Sequence, residues 1–344
     1  MDKMKAVIIG CGKISVMHAV SILHQPNVEL AGVCDIKHDR ADSAAEEYST
    51  TAFYDWKAMV DEIRPDAVHV CTPHYLHTEM VIYALGKGCN VLTEKPMAIE
   101  YEDAKRMNAA AVESGKVLVV SFQNRFNPGS MLIRRTLDSG ELGKIISAKA
   151  LVTWNRSDEY YSRSDWKGTW NKEGGGVIID QAIHTLDLLN WYCGSRPVMV
   201  SASLHNRAHS LIKVEDSAEG YIKYDNGINA SFFAINYYGY DAPVELELFC
   251  ENGIVKLVGE KATITFNDGR VFSQDRDPSK FFEFKNAKQY WGVGHMMEIS
   301  EFYSCLEKHM KPRNTADEVL STHRLIDSIY KSGKTGENVY LNWD

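Results

Sequence analysis

Residues 5–15 read KAVIIGCGKIS, an apolar run followed by a glycine-rich turn and the start of a helical pattern. The run is too apolar to have a face in water, as expected of a strand that is covered on both sides. Gly10 suits a tight turn, Gly12 lets the backbone approach a phosphate, and the following helix offers free N–H groups at its N-terminus. Ser15 stands where a third glycine is usual, a packing position that a small serine can fill. The stretch predicts the first strand, turn and helix of a dinucleotide-binding domain.

The same alternation of apolar runs and helical patterns continues to about residue 121. The predicted strands are 5–9, 28–34, 67–71, 90–93 and 116–121, and the predicted helices are 14–23, 41–48, 56–62, 76–86 and 102–114. Five repeats of strand and helix predict a doubly wound parallel sheet, a Rossmann domain, over residues 1–122.

The rhythm changes after Asn127-Pro128-Gly129. Strand-like runs now follow one another through turn pairs such as Asn252-Gly253. These predicted strands are 145–154, 199–205, 217–224, 228–234, 244–250, 254–258 and 262–266, and the predicted helices are 178–192, 294–308 and 316–330. We therefore predict an α/β protein in which residues 123–344 form an α+β domain with a large, mostly antiparallel open sheet.

Composition narrows the class of protein. The chain has 344 residues, with 38 Lys and Arg against 46 Asp and Glu, a formal charge of −8. An acidic chain without a basic block is not expected to bind nucleic acid, and no apolar run is long enough for a membrane span. The seven scattered cysteines show neither a disulfide framework nor metal-ligand spacing, so we expect reduced thiols and no bound metal. The start of the sequence has no signal-peptide pattern, so we expect a cytoplasmic protein.

Asp35 ends the second predicted strand, about where an acidic residue binds the adenosine ribose in dinucleotide-binding folds. A carboxylate there accepts hydrogen bonds from the ribose hydroxyls and repels a 2′-phosphate, which favours NAD over NADP. Lys37 and Arg40 are close enough in sequence that either could serve a 2′-phosphate. The alternative is that the glycines form only a turn and that Asp35 only caps a helix.

Two further groups of polar residues follow predicted parallel strands, at the edge where open α/β sheets bind ligands. They are Thr72-Pro73-His74-Tyr75-Leu76-His77 and Glu94-Lys95-Pro96. Pro96 favours an extended backbone at Lys95, which would aim the lysine side chain. A lysine beside a cationic nicotinamide suits hydrogen bonding or proton exchange with a hydroxyl substrate. The alternative, a surface lysine at a helix start, would be favoured if Glu-Lys-Pro stood alone.

A second candidate group lies in residues 174–187, GGGVIIDQAIHTLD. Three glycines permit unusual dihedral angles and let the backbone pass close to a ligand. Asp180 and His184 are four residues apart and are predicted to share a helix face, so the carboxylate can steady an imidazolium that has accepted an alcohol proton. A histidine on an apolar helix is more often a satisfied core group, but the glycines and the paired acid favour the functional interpretation.

Taken together, these residues resemble the Gfo/Idh/MocA family of NAD(P)-dependent oxidoreductases. The resemblance also covers His18, Arg125-Phe126, Pro128, Trp166-Lys167-Gly168 and Asp187-Leu188-Leu189, and it departs from the family at Ser15 and at Lys167, where many members have arginine. It implies a Rossmann domain, a second domain whose open sheet often packs against another subunit, and the catalytic set Lys95, Asp180 and His184. The positions assigned to the cofactor are Gly10, Gly12, Lys13, Ile14, Asp35, Arg40, Thr72, Pro73, His77, Glu94, Lys95 and Gln123. Those assigned to the substrate are Lys95, Arg125, Arg156, Tyr160, Trp166, Asp180, Gln181 and His184.

The resemblance implies hydride transfer between nicotinamide and a secondary alcohol carbon of a sugar, a glycoside or an inositol. His184 would take the hydroxyl proton, Lys95 would stabilise the oxygen, and Asp180 would orient His184 or a neighbouring hydroxyl. The aromatic and basic stretch around Tyr160 and Trp166 suits sugar stacking or simply loop packing. Two alternatives stay open: a glycosidase that retains NAD and uses transient oxidation, and a non-catalytic regulator that binds NAD and a sugar. A homodimer or homotetramer is expected from the family habit.

Overall fold

The computed structural model describes residues 3–277 and 292–343, which divide into two units. The first unit contains the residues up to Phe126 and also residues 292–320, and the second contains residues 127–277 and 321–343. A segment of the predicted C-terminal domain therefore belongs to the unit of the N-terminal sheet. The apolar core explains this placement, because Ile299, Phe302 and Tyr303 are buried in one cluster with strand residues such as Ile8.

Fifteen strands and ten α-helices are found in the described residues. The strands are β1 Met4–Ile9, β2 Val28–Cys34, β3 Ala52–Phe53, β4 Ala67–Val70, β5 Asn90–Thr93, β6 Leu118–Val120, β7 Ile145–Thr153, β8 Pro197–His205, β9 Ser217–Tyr224, β10 Asn229–Ile235, β11 Glu245–Cys250, β12 Gly253–Val258, β13 Lys261–Phe266, β14 Val271–Gln274 and β15 Val339–Tyr340. The helices are α1 Ser15–Leu23, α2 His38–Tyr48, α3 Trp56–Ile63, α4 His77–Gly86, α5 Tyr101–Ser114, α6 Pro128–Asp138, α7 Asp158–Ser162, α8 Ile183–Cys193, α9 Gly292–Glu307 and α10 Ala316–Thr335. None of these helices is long and apolar enough to cross a membrane.

The sheet of the first unit has six parallel strands in the order β3-β2-β1-β4-β5-β6. The predicted doubly wound parallel sheet is confirmed, and the two-residue edge strand β3 is an addition to it. The strand order reverses between β1 and β4, so the loops that follow these two strands open the crevice in which such sheets bind ligands. Gly10 and Thr72 lie in these two loops.

The sheet of the second unit has nine strands in the order β14-β13-β12-β11-β7-β10-β9-β8-β15. All neighbours are antiparallel except β7 and β10, which pair in parallel, so the predicted mostly antiparallel sheet is confirmed. The predicted helix 178–192 has a different beginning: residues Val177–Ala182 form a π-helical turn, and α8 follows directly.

Candidate active site

The glycine-rich turn after β1 has one crowded glycine and one open glycine. Gly10 has a φ of +96°, and a Cβ added there would lie 2.6 Å from the backbone oxygen of Cys71. A Cβ on Gly12 would meet nothing within 4 Å, and the Ser15 hydroxyl donates to the Gly12 carbonyl at 2.6 Å. Among the described residues no side chain caps the start of α1. The turn thus has free space beside Gly12 and N–H groups at a helix N-terminus, which fit the pyrophosphate of a dinucleotide.

Asp35 lies beside this turn. Its Oδ2 accepts a hydrogen bond from the Cys11 amide at 2.9 Å, and its Oδ1 accepts one from the Lys37 amide at 2.8 Å. The carboxylate is half-buried at the end of β2, whereas the Lys37 and Arg40 side chains are exposed. Each carboxylate oxygen can accept more than one hydrogen bond, so the arrangement leaves capacity for ribose hydroxyls.

His77 lies between the loops after β4 and β5. Its Nδ1 is 2.8 Å from the Pro96 carbonyl oxygen, and its Nε2 is 2.9 Å from that of Thr72. The ring is fully buried, and burial lowers its pKa. Lys95 is half-buried, and its peptide bond to Pro96 is cis. His77 therefore fixes the position of the segment that carries Lys95.

A buried hydrogen-bonded chain lies next to Lys95, at Glu94. The Tyr303 hydroxyl is 2.7 Å from His69 Nε2, His69 Nδ1 is 2.8 Å from His18 Nδ1, and His18 Nε2 is 2.9 Å from Glu94 Oε1. His295 Nε2 approaches the same carboxylate oxygen at 3.4 Å. Each imidazole nitrogen and the tyrosine hydroxyl can donate or accept, so every group in this chain has a hydrogen-bond partner.

Two groups of this chain have pKa values far from their usual range. Burial alone would raise the pKa of Glu94, but the hydrogen bonds from His18 and His295 outweigh it and hold the pKa well below its usual value. Burial lowers the pKa of His69 well below its usual value, so this ring is neutral. An ionised carboxylate therefore lies at the base of the Lys95 segment. The role of Glu94 in cofactor binding stays a prediction.

Gln123 and Arg125 lie in a 3₁₀-helix over Gln123–Phe126, and both are buried. Gln123 Oε1 has no hydrogen-bond partner within the described part of the chain. A buried, unpartnered amide oxygen is costly unless a ligand or water binds it, and the carboxamide of a nicotinamide offers such a donor.

In the second unit, Asp180 is held by three donors. Its Oδ2 accepts from the Tyr160 hydroxyl at 2.8 Å, from Lys167 Nζ at 2.6 Å and from Gln181 Nε2 at 2.7 Å. The Asp180 side chain is 8% exposed and that of Lys167 is 16% exposed. These contacts bring together three predicted substrate residues, Asp180, Tyr160 and Gln181, and they assign a partner to Lys167 that the sequence did not suggest.

The electrostatics of this Asp180 cluster favour an ionised Asp180. Burial opposes the charge of Lys167, but Asp180 and the other neighbouring groups raise the lysine's pKa above its usual range. Burial, with the charge of Asp180 adding to it, raises the pKa of Tyr160, so the phenol keeps its proton and donates it. Burial raises the pKa of the neighbouring Glu173 to about 8, and the charge of Asp180 adds to this effect.

Two residues that the sequence did not single out hold the start of the helix that carries His184. Glu215 accepts from the Gly176 amide at 3.0 and 2.9 Å and from the Ile178 amide at 3.1 Å. The Tyr330 hydroxyl donates to Glu215 at 2.9 Å and accepts from the Ile179 amide at 3.2 Å. Burial raises the pKa of Glu215 to about 7. These contacts satisfy the first N–H groups of the π-helical turn.

The same two residues explain the glycines. A Cβ on Gly175 would lie 1.9 Å from the Tyr330 hydroxyl, and one on Gly176 would lie 1.9 Å from the Glu215 backbone oxygen. The close approach predicted for this segment therefore exists, but its partner is the protein itself. The available sequence signal was a pair of adjacent acids, Glu215-Asp216, directly before the predicted strand 217–224, since buried acids need dedicated partners.

Of the remaining predicted substrate residues of the second unit, Arg156 lies near the Tyr160 ring and Trp166 lies near Lys167. The Arg156 guanidinium carbon is 5.4 Å from the Tyr160 ring centre, and Lys167 Nζ is 4.9 Å from it. Lys167 Nζ also lies 4.6 Å from the Trp166 ring centre. His184 is half-buried near the start of α8. Lys95 belongs to the first unit, and Asp180 and His184 belong to the second, so their joint action stays a prediction.

Comparison with known proteins assigns a family to two parts of the chain. Residues 4–122 match the family model described as "Oxidoreductase family, NAD-binding Rossmann fold", and residues 131–256 match that of the "GFO/IDH/MocA C-terminal domain". The D-glucoside 3-dehydrogenase of Escherichia coli (strain K12) is 28% identical to this chain, over 98% of the chain and 97% of that protein. The scyllo-inositol 2-dehydrogenase (NAD(+)) of Bacillus subtilis (strain 168) is 27% identical, over 90% and 88%.

A solved structure of similar sequence has the same fold. The WlbA dehydrogenase from Bordetella pertussis, in complex with NADH and UDP-GlcNAcA, is 28% identical with a TM-score of 0.86, covering 99% of this chain and 100% of that one. The two family models together match most of the chain, one in each part of it. The chain therefore belongs to the Gfo/Idh/MocA family of oxidoreductases, and its N-terminal part is an NAD-binding Rossmann fold.

Proposed function

We propose that this protein is a dehydrogenase that uses NAD to oxidise a secondary alcohol carbon of a sugar, a glycoside or an inositol. The observation that carries the proposal is the Asp180 cluster, in which Tyr160, Lys167 and Gln181 fix an ionised carboxylate four residues before His184. Sugar, glucoside and inositol dehydrogenases among the relatives support the substrate class.

The residues of this chain have distinct roles in the proposed reaction. His184 accepts the proton of the hydroxyl group, and Asp180, held by its three donors, orients His184 or a neighbouring hydroxyl. Lys95 hydrogen-bonds the same oxygen and stabilises the negative charge that develops on it. NAD, when bound, supplies the hydride acceptor. The residues that would hold it are those of the Gly10–Ile14 turn, Asp35, the Thr72 loop and Gln123.

A direct test is a panel of sugars, glycosides, inositols and nucleotide sugars, assayed for NADH formation with NAD and with NADP. Release of the aglycone from glycosides is followed in parallel, because a glycosidase that retains NAD releases it without net NADH. We expect NADH formation with at least one member of the panel. A protein that binds neither dinucleotide, or that cleaves glycosides without forming NADH, would contradict the proposal.

Asp35→Ala should raise the dissociation constant of NAD by about 10- to 100-fold, because hydrogen bonds to a charged group contribute about 1.5–3 kcal/mol. The dissociation constant of NADP should change less, since the substitution also removes a charge that repels the 2′-phosphate. Titration calorimetry measures both. Asp39→Ala, which removes an exposed carboxylate from the first turn of α2, is the control and should leave both constants unchanged. An equal rise in the dissociation constants of NAD and NADP would contradict the assignment of Asp35 to the adenosine ribose.

We also propose that copies of this chain pair through the outer face of the nine-stranded sheet. This face exposes Phe249, Val258, Ile254 and Phe233, and the neighbouring Lys149, Glu247 and Lys256 alternate in charge, as suits a self-complementary surface. Phe249→Asp should weaken self-association by about 30-fold or more, the effect of losing a hot-spot residue. Analytical ultracentrifugation measures it, with Val112→Asp, a change at an exposed residue of α5, as control. A wild-type protein that is monomeric throughout would contradict the proposal.

A further inference from the structure

The stretch 154–170 of the second unit contains three cationic side chains, and each is paired with a carboxylate. Lys167 pairs with Asp180 at 2.6 Å and lies 3.5 Å from Glu173. Arg156 Nη1 contacts both carboxylate oxygens of Asp241, at 2.9 and 3.2 Å. Arg163 pairs with Glu159. The basic residues that would recognise an anionic substrate from this stretch are thus neutralised by the protein itself.

Lys167 is the cation most firmly held. Its side chain is 16% exposed and those of its two acidic partners are 8% and 1% exposed, so water screens these contacts little. Glu173 also accepts from the Gly168 amide, which fixes it beside the lysine. With Glu173 protonated the group of three has no net charge, and with Glu173 ionised its net charge is −1. In neither state does it attract an anion.

Arg156 is restrained from several sides. Its Nη1 donates to the Asn155 carbonyl as well as to Asp241, and its guanidinium carbon is 4.9 Å from the Trp154 ring centre and 5.4 Å from that of Tyr160. Its side chain is 18% exposed, against 58% for Asp241. A phosphate or carboxylate that binds this arginine would lie beside the Asp241 carboxylate and meet its like charge.

From this charge balance we propose that the substrate of the Asp180 site is an uncharged polyhydroxylated ring, a neutral sugar, glycoside or inositol, and that phosphorylated and carboxylated sugars are excluded. The inference rests on the proposed function, because it concerns the substrate of the same site. The side chains that recognise hydroxyl groups here carry no net charge. The Tyr160 hydroxyl and Gln181 are neutral, and Lys167 and Asp180 are paired with each other. An anion placed among Asp180, Glu173 and Asp241 would meet their like charges, and the two cations beside them, Lys167 and Arg156, are each already paired with a carboxylate.

The test compares neutral and anionic members of matched pairs, with the full-length protein and saturating NAD. The pairs are glucose with glucose 6-phosphate, and methyl glucoside with methyl glucuronide. We expect kcat/KM for each anionic member to be at least about 100-fold lower than for its neutral partner. Equal or better turnover of the anionic member would overturn the inference while leaving the proposed function intact. Failure of all substrates, neutral and anionic, in the wider panel contradicts the proposed function instead.

A variant tests the cause of the discrimination. Asp241→Asn removes the negative charge beside the Arg156 guanidinium. It should narrow the ratio of kcat/KM between neutral and anionic members by about 10-fold, because the charge of the arginine is then no longer compensated. Asp268→Asn removes a carboxylate that pairs with Arg270, and so changes the net charge equally. It should leave the ratio unchanged. Titration calorimetry on the protein with NADH measures the dissociation constant of each sugar. In each pair, the member with the higher kcat/KM should also bind more tightly. A ratio that responds equally to both variants would overturn the role assigned to the Arg156–Asp241 pair.

Discussion

Replacing His184 with glutamine should lower kcat by about 10²- to 10⁴-fold, the contribution of a positioned general base. Glutamine keeps a polar side chain of similar reach but cannot accept the alcohol proton at neutral pH. The dissociation constant of NADH should stay unchanged, because the residues assigned to the cofactor lie in the other unit. Steady-state rates on the best substrate of the panel and a fluorescence titration with NADH measure the two quantities.

His205→Gln is the matched control for this substitution. His205 lies at the end of β8 with its side chain 44% exposed, and its replacement should leave kcat unchanged. A His184→Gln variant with full kcat would remove His184 from the chemistry. A fall confined to substrate binding, with kcat preserved, would assign it to recognition instead.

The architecture followed from the sequence because its signals are local. The turn KAVIIGCGKIS, the alternation of strand and helix patterns and pairs such as Asn252-Gly253 each specify a short element, and the elements then assemble by known rules. β3 and β15 have two residues each, too few for any periodicity to show. The parallel pairing of β7 with β10 joins strands that are distant in sequence, and no local pattern encodes it.

The sequence named several residues of the candidate site but not the residues with which they form hydrogen bonds. Asp180 was expected to serve His184, and the structure adds that Tyr160, Lys167 and Gln181 all donate to it. Lys167 was noted only as a departure from arginine. An ion pair 13 residues apart across an irregular loop depends on how that loop folds, which spacing alone does not specify.

The helix start shows the same limit more clearly. Apolar spacing predicted a helix from residue 178, but Val177–Ala182 form a π-helical turn, and the N–H groups at its start donate to Glu215 and Tyr330. Tyr330 lies 115 residues beyond Glu215, so only the tertiary fold brings the two together. The glycine run was visible in the sequence, but the side chain and the carbonyl that require it were not.

At Gly176 this packing leaves no room for a side chain. Its backbone has φ −119° and ψ −114°, and an added Cβ would lie 1.9 Å from the Glu215 carbonyl oxygen and 3.0 Å from its carbonyl carbon. These atoms belong to the backbone just before β9, so they cannot rotate away as a side chain would. The same carbonyl accepts the Val177 amide, and the Glu215 carboxylate accepts the Gly176 amide. Any shift that relieves the overlap also breaks these bonds.

Gly176→Ala should therefore lower the free energy of unfolding by about 3 kcal/mol or more, the range for severe overpacking combined with lost buried hydrogen bonds. Thermal or urea unfolding followed by circular dichroism measures the change, with Gly239→Ala as control, because a Cβ there would meet nothing within 4 Å. In whatever fraction remains folded, kcat should fall as well, since the displaced turn carries Asp180 and leads directly into the helix of His184. A Gly176→Ala protein as stable and active as Gly239→Ala would show that Glu215 and Tyr330 do not fix this turn.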